Sequence, residues 1–207
     1  MRSEASLILT GTAVTQLERW ASLWADLQHA DIALYERAQM EPIPATIFQR
    51  RALWESAVIA YGRATQSERG RKVGFQTFVT ETLTPGQIAT HERIMDWRHG
   101  HVAHRRDDEF EEVCTEIVLR DGVPTELRVG VGIDAGASQD FVEEFQAHVF
   151  MLRNHVWEKK LAPNVQSVVT GMNQCTVSAE APSDESPRPG DDRYTVTMKW
   201  DLDATPR

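Results

Sequence analysis

Hydrophobic residues recur every three to four positions over most of the chain, and this period predicts a mainly α-helical fold. Val14, Leu17, Trp20, Trp24 and Leu27 fall along one side of a first helix that Thr12 is placed to cap. A segment around 31–38 continues or repeats that helix, and Pro42 and Pro44 break the chain. A second helix is predicted over about 46–66, burying Ile47, Trp54, Val58 and Tyr61. Residues 67–83, with Phe75, Phe78 and Leu83, read as an irregular or short-helical connection. Thr84-Pro85-Gly86-Gln87 then joins a capping threonine to a first-turn proline and a reciprocally capping glutamine. The third long helix that starts there should run to about Arg105. Beyond it the period shortens to two over Val113, Thr115, Ile117 and Leu119, and again over Leu127, Val129, Val131 and Ile133. With Asp121-Gly122 between the two runs, the pattern predicts a β-hairpin over about 113–133. Ser138 is placed to cap a last long helix with Phe141, Phe145, Val149, Leu152 and Val156 on one stripe, stopped before Pro163. The predicted architecture is a bundle of four or five helices with a hairpin inserted before the last one. Its Trp and Phe stripes read as core packing.

The last part of the chain has a different composition. From Gln174 to Arg207 there are seven acidic and four basic residues, and four of the nine prolines. Residues 178–192 have almost nothing to bury and predict a flexible linker. Tyr194-Thr-Val-Thr-Met-Lys-Trp200 alternates as a strand does and needs a partner edge, in this chain or in another. The expected division is a helical domain over 1–175 and an acidic tail over 176–207.

At 207 residues, 41% hydrophobic and 26% charged, the chain is of ordinary size and composition for one folded core. Its apolar runs are too short for a membrane span. Met1-Arg2-Ser3-Glu4 leads into mixed residues rather than an apolar run, and Cys114 and Cys175 are too few for a disulfide scaffold. Both features predict a cytoplasmic protein. Twenty-two basic against 31 acidic residues give a net charge of −9, which argues against a protein that coats nucleic acid electrostatically. A nucleic-acid enzyme with a small basic site remains compatible with that charge.

The third helix carries the candidate chemistry. His91, His99, His101 and His104 are four of the seven histidines, and they lie within fourteen residues beside Arg93, Arg98, Arg105 and Arg106. At about 100° per residue, Met95 and Val102 sit about 60° and 40° to one side of Arg98, and Ile94 and Trp97 lie on the other. Arg98 thus points from the middle of an apolar arc, with His91 nearly in line, while His104 lies about 120° round and about 9 Å along the axis. A cation so placed needs a partner or a task. One reading pairs it with a carboxylate of another helix, such as Glu18 or Asp26. Another gathers His99, His101 and His104 around a metal, but on a continuous helix their imidazoles do not converge.

The run Met95-Asp-Trp-Arg98-His-Gly-His-Val-Ala-His104-Arg resembles the motif of the HEPN superfamily (higher eukaryote and prokaryote nucleotide-binding domains). That motif is an arginine, a polar neighbour and a histidine a few positions on, carried by the third helix of a bundle. The helix Leu53-Trp-Glu-Ser-Ala-Val-Ile-Ala-Tyr-Gly-Arg63 is similar to the second helix of such proteins. By helix order the resemblance spans 12–160, and by motif about eleven residues. It implies a metal-independent endoribonuclease without cofactor, similar to toxins of toxin–antitoxin and abortive-infection systems. The 2′-hydroxyl of RNA would attack the adjacent phosphate, with His104 as proton-transfer group. Arg98 would hold the phosphate and His99 would support one of them, while His101, His91 and Arg105 support the site or bind RNA. The resemblance also implies a homodimer whose third helices line one cleft, and an antitoxin or other protein partner. Its non-catalytic members imply the alternative, a nucleotide-binding or protein-interaction scaffold.

Overall fold

A computed structural model describes residues 7–66, 71–102, 113–133, 135–172, 176–180, 198 and 200. They form a mostly helical bundle with one antiparallel hairpin, as the periodicity predicts. Strand β1 (Leu7–Thr10) leads into α1 (Thr12–Gln39), one helix through the segment around 31–38. Its N-cap is Gly11 rather than Thr12, which is already helical. The prolines end α1, and a single 3-10 turn (Pro44–Thr46) redirects the chain into α2 (Ile47–Gln66). The connection that follows contains a short helix, α3 (Phe75–Thr82), with Phe75 and Phe78 buried.

Helix α4 (Pro85–Trp97) starts at the predicted capping box. The Thr84 amide donates to Gln87 Oε1 at 2.8 Å, and the Gln87 amide donates to Thr84 Oγ1 at 3.4 Å. It does not continue to Arg105 as a regular helix. From Arg98 to Val102 the backbone widens into a π turn, and 103–112 lie outside the described residues. The hairpin of β2 (Val113–Arg120) and β3 (Val123–Val131) turns at Asp121-Gly122, both at positive φ (52° and 78°), as a tight hairpin turn with right-twisting strands requires.

The Ser138 hydroxyl caps α5 (Gln139–Val156), accepting from the Phe141 amide at 3.4 Å. Pro163 does not stop this helix. A second π turn (Trp157–Leu161) carries it into α6 (Ala162–Thr170), whose first turn holds the proline. Widening the preceding turn avoids the clash of the proline ring with the carbonyl four residues back. The Asn164 amide side chain donates to the Lys160 carbonyl there at 2.7 Å. Strand β4 (Thr176–Glu180) pairs antiparallel with β1, a pairing the periodicity did not predict and one that carries the fold past residue 175. Of the expected terminal strand only Met198 and Trp200 are described. Both pack against the bundle, Trp200 stacked on Trp157 with centroids 5.1 Å apart. The expected linker lies outside the described residues.

The core sits where α1, α2, α4 and α5 meet. Trp54 meets Trp97 and Phe145 in T-shaped contacts at 5.0 and 5.7 Å, and Tyr61 packs on Phe145 at 5.3 Å. Trp54 also sets the connection from hairpin to α5. Gly136, at φ +87°, lies so close that a Cβ there would fall 2.5 Å from Trp54 Cδ1. No described helix is long and apolar enough to cross a membrane.

Candidate functional site

The site is built at the end of α4 where that helix crosses α2. Burial of Ile94 and His91 fixes the rotation of α4, and Trp97 packs on Trp54 in a T-shaped contact. Arg98 is thereby turned toward α2, as the apolar-arc argument requires, and is half-buried there. It rests on Gly62. A Cβ at that glycine would fall 2.0 Å from Arg98 Cδ and 2.2 Å from Nε, so only a residue without a side chain leaves the groove open. Thr65, three residues further along α2, donates to the Gly62 carbonyl at 2.9 Å and touches Met95 Sδ at 3.3 Å.

The Arg98 amide bonds back to Ile94 and Met95, but no ion pair or side-chain hydrogen bond joins its guanidinium to a described residue. Neither carboxylate proposed for it is its partner. Asp26 pairs with Arg63 at 3.4 Å and with Arg71, and Glu18 forms no salt bridge among the described residues. Burial lowers the Arg98 pKa from its ordinary value, but a guanidinium remains charged at neutral pH. A partly desolvated cation is a stronger partner for an anion than a fully hydrated one.

At Tyr61, the residue before Gly62 on α2, three titratable side chains from three helices meet inside the core. The Tyr61 hydroxyl lies 2.6 Å from His91 Nδ1 and 3.0 Å from His148 Nε2. His91 and His148 are 6% and 5% exposed, and Tyr61 is fully buried. One hydroxyl satisfies both rings when both are neutral, donating to one nitrogen and accepting from the other. Burial enforces that state. It lowers the His91 pKa against the opposing charge of Glu92. Burial and then the charge of His91 bring His148 down to about 4, with Glu144 opposing. Burial also raises the Tyr61 hydroxyl well above its usual range.

At the surface above His148, Glu144 accepts from Thr90 Oγ1 at 2.8 Å and from Arg93 Nη1 at 2.9 and 2.8 Å, which ties α5 to α4. The Thr90 hydroxyl bond contributes most to lowering the Glu144 pKa, and Arg93 adds to it.

The predicted residues are thus distributed unevenly. Arg98 lies at the α2–α4 seam, His99 is exposed, and His101 belongs to the π turn. His104 and Arg105 lie outside the described residues. His91 is a core residue whose Nδ1 lies in hydrogen-bond contact with the Tyr61 hydroxyl. Among the described residues, no three His, Cys, Asp or Glu side chains cluster as metal ligands.

Two members of this arrangement were missed from sequence. His148 lies three residues after Phe145 and four before Leu152, inside the buried stripe of α5, so its position on the helical wheel was the available signal. Gly62 gave none, because the residue it accommodates is far away in sequence.

Gly62→Ala should leave the fold standing and displace Arg98. Its methyl meets a flexible side chain, and the helical propensity gained is about 1 kcal/mol. Urea unfolding should therefore change by no more than about 1 kcal/mol, while the Arg98 Nε–H resonance moves and its exchange with solvent accelerates. An unchanged Arg98 resonance would show that the groove does not hold this side chain. The chain matches no family model, no curated protein and no solved structure.

Proposed function

We propose that the chain is a metal-independent endoribonuclease of HEPN type, a cytoplasmic effector of the toxin or anti-phage class. The observation that carries this reading is Arg98, a half-buried cation over Gly62 with no carboxylate partner among the described residues. It also opens the π turn that bears the motif, and such turns recur at functional sites. In this reading Arg98 binds the scissile phosphate and stabilises the charge that accumulates on its oxygens. The 2′-oxygen forms a bond to phosphorus and the bond to the 5′-oxygen breaks, leaving a 2′,3′-cyclic phosphate and a 5′-hydroxyl. His104 transfers the proton between the attacking and the leaving oxygen. His99 supports this pair, His101 and Arg105 contact the RNA, and His91 acts from within by holding Tyr61 beside Gly62. Two copies joined along their third helices would place both motifs in one cleft, and an antitoxin would cover it.

The test is cleavage of a labelled RNA by the purified chain in the presence of EDTA. Wild type should cut, and His104→Ala should lose about 100-fold or more of the rate with an unchanged melting temperature. Arg98→Ala should lose activity as well. Wild type that binds the RNA without cutting it would favour the scaffold reading, and cleavage abolished by EDTA would replace the metal-independent one.

A further inference from the structure

The hairpin carries a surface that the bundle does not cover. In its regular part Val113 pairs with Val131, Thr115 with Val129 and Ile117 with Leu127. Strand alternation places all six on one face. The five apolar members are 54–68% exposed, and no further described strand pairs with the hairpin. A two-stranded ribbon alone in water is marginal. One that exposes an apolar face on the order of 500 Å² is at the upper end of what monomers tolerate.

We infer that this face is a homotypic docking surface, on which the hairpins of two copies of the chain pack face to face. The face itself bears no charge, because Glu116, Glu126 and Arg128 alternate onto the other side, where Arg128 and Glu126 pair at 3.0 Å. A neutral apolar face offers nothing to a charged peptide and is complementary to its own copy, as a two-fold contact requires. Residues 113–131 hold three acids and two arginines, so the ribbon lacks the basic surplus that would bind it to an anionic lipid surface. The chain's own C-terminal aromatic is engaged elsewhere, since Trp200 is stacked on Trp157. Two such faces together bury about 1,000 Å², the lower bound of a specific interface. The contact is independent of the ribonuclease reading and distinct from a dimer through the third helix.

Sedimentation of the full chain at about 50 µM, a concentration suited to an interface of this modest size, should give a species larger than the monomer. Ile117→Asp combined with Leu127→Asp should remove one association step while helix content and melting temperature stay unchanged. Cross-linking locates the contact. With Cys114→Ser and Cys175→Ser in place, Thr115→Cys puts a thiol on the apolar face, and a short bis-maleimide should join two copies through it. Cys114 of the native sequence lies on the opposite face and should cross-link far less. A monomeric wild type, a mass unaffected by the double substitution, or equal cross-linking from both faces would each overturn the inference.

Discussion

Arg37→Leu should destabilise the protein by about 2–4 kcal/mol, a large part of the stability of a domain of this size. Arg37 is 1% exposed in the last turn of α1, and its Nη2 donates to the carbonyls of Ala137 at 2.8 Å and Ala135 at 3.2 Å. Those carbonyls belong to the connection between β3 and α5, about a hundred residues away, and the guanidinium lies 5.9 Å from the Trp54 ring centroid. Leucine keeps much of the volume but leaves two carbonyl acceptors without their charged donor. Hydrogen bonds to charged groups are the expensive ones to lose. Arg37→Lys should recover only part of the loss, because the compact, strongly hydrated ammonium costs more to bury than the guanidinium whose Nη2 reaches both carbonyls. Urea unfolding at pH 7 measures both variants. A loss below about 1 kcal/mol for Arg37→Leu would mean that the connection is held by Trp54 and Gly136 alone.

How much of this was legible from sequence depends on the range of the interaction involved. The capping box at Thr84, the Ser138 cap, the Asp121-Gly122 turn and the apolar stripes are local patterns, and each is present in the structure. The helical wheel was sound up to Arg98 and failed beyond it. Its constant rotation per residue ends where the backbone widens at Arg98–Val102, so the angle assigned to Val102 does not apply. The same device, a π turn, carries the last helix past Pro163, where a fixed helical geometry predicted a stop.

Pairings between distant segments left the weakest traces. β1 and β4 are strands of four and five residues, too short for alternation to stand out from the helical pattern around them. Arg37 was passed over because its partners are backbone carbonyls, which no residue type announces. The candidate site divides in the same way. Arg98 stood out because a cation in an apolar arc violates a local rule. Tyr61 was read as ordinary core, and its hydroxyl acquires a role only when His91 and His148 arrive from two other helices.

That buried trio should make the protein acid-sensitive at a pH where its carboxylates are still ionised. A histidine has an ordinary pKa of 6.5, and His148 in the folded chain is held at about 4. Between these values the unfolded chain binds a proton that the folded chain refuses, so stability falls as pH falls. The contribution is fully present above about pH 6.5 and is lost progressively toward pH 4, amounting to about 3 kcal/mol for His148 alone. His91 adds a loss of the same sign, since burial lowers its pKa too, with Glu92 opposing. Glu144 contributes later, because its lowered carboxylate pKa is a source of stability lost only below about pH 4.5. The groups around the trio do not reverse this order. Arg93 on α4 is neutralised by Glu144, and Tyr61 on α2 stays protonated throughout. Urea unfolding at intervals from pH 7.5 to 4.5 should therefore show stability falling most steeply below pH 6, and His148→Gln should remove about one proton's worth of that slope. The imidazole resonances of His148 should remain those of a neutral ring at pH 5. Stability that stays level from pH 7 to 5, or a His148 ring that titrates near 6.5, would mean that the Tyr61 hydroxyl does not sit between two neutral rings and that this part of the core is open to water.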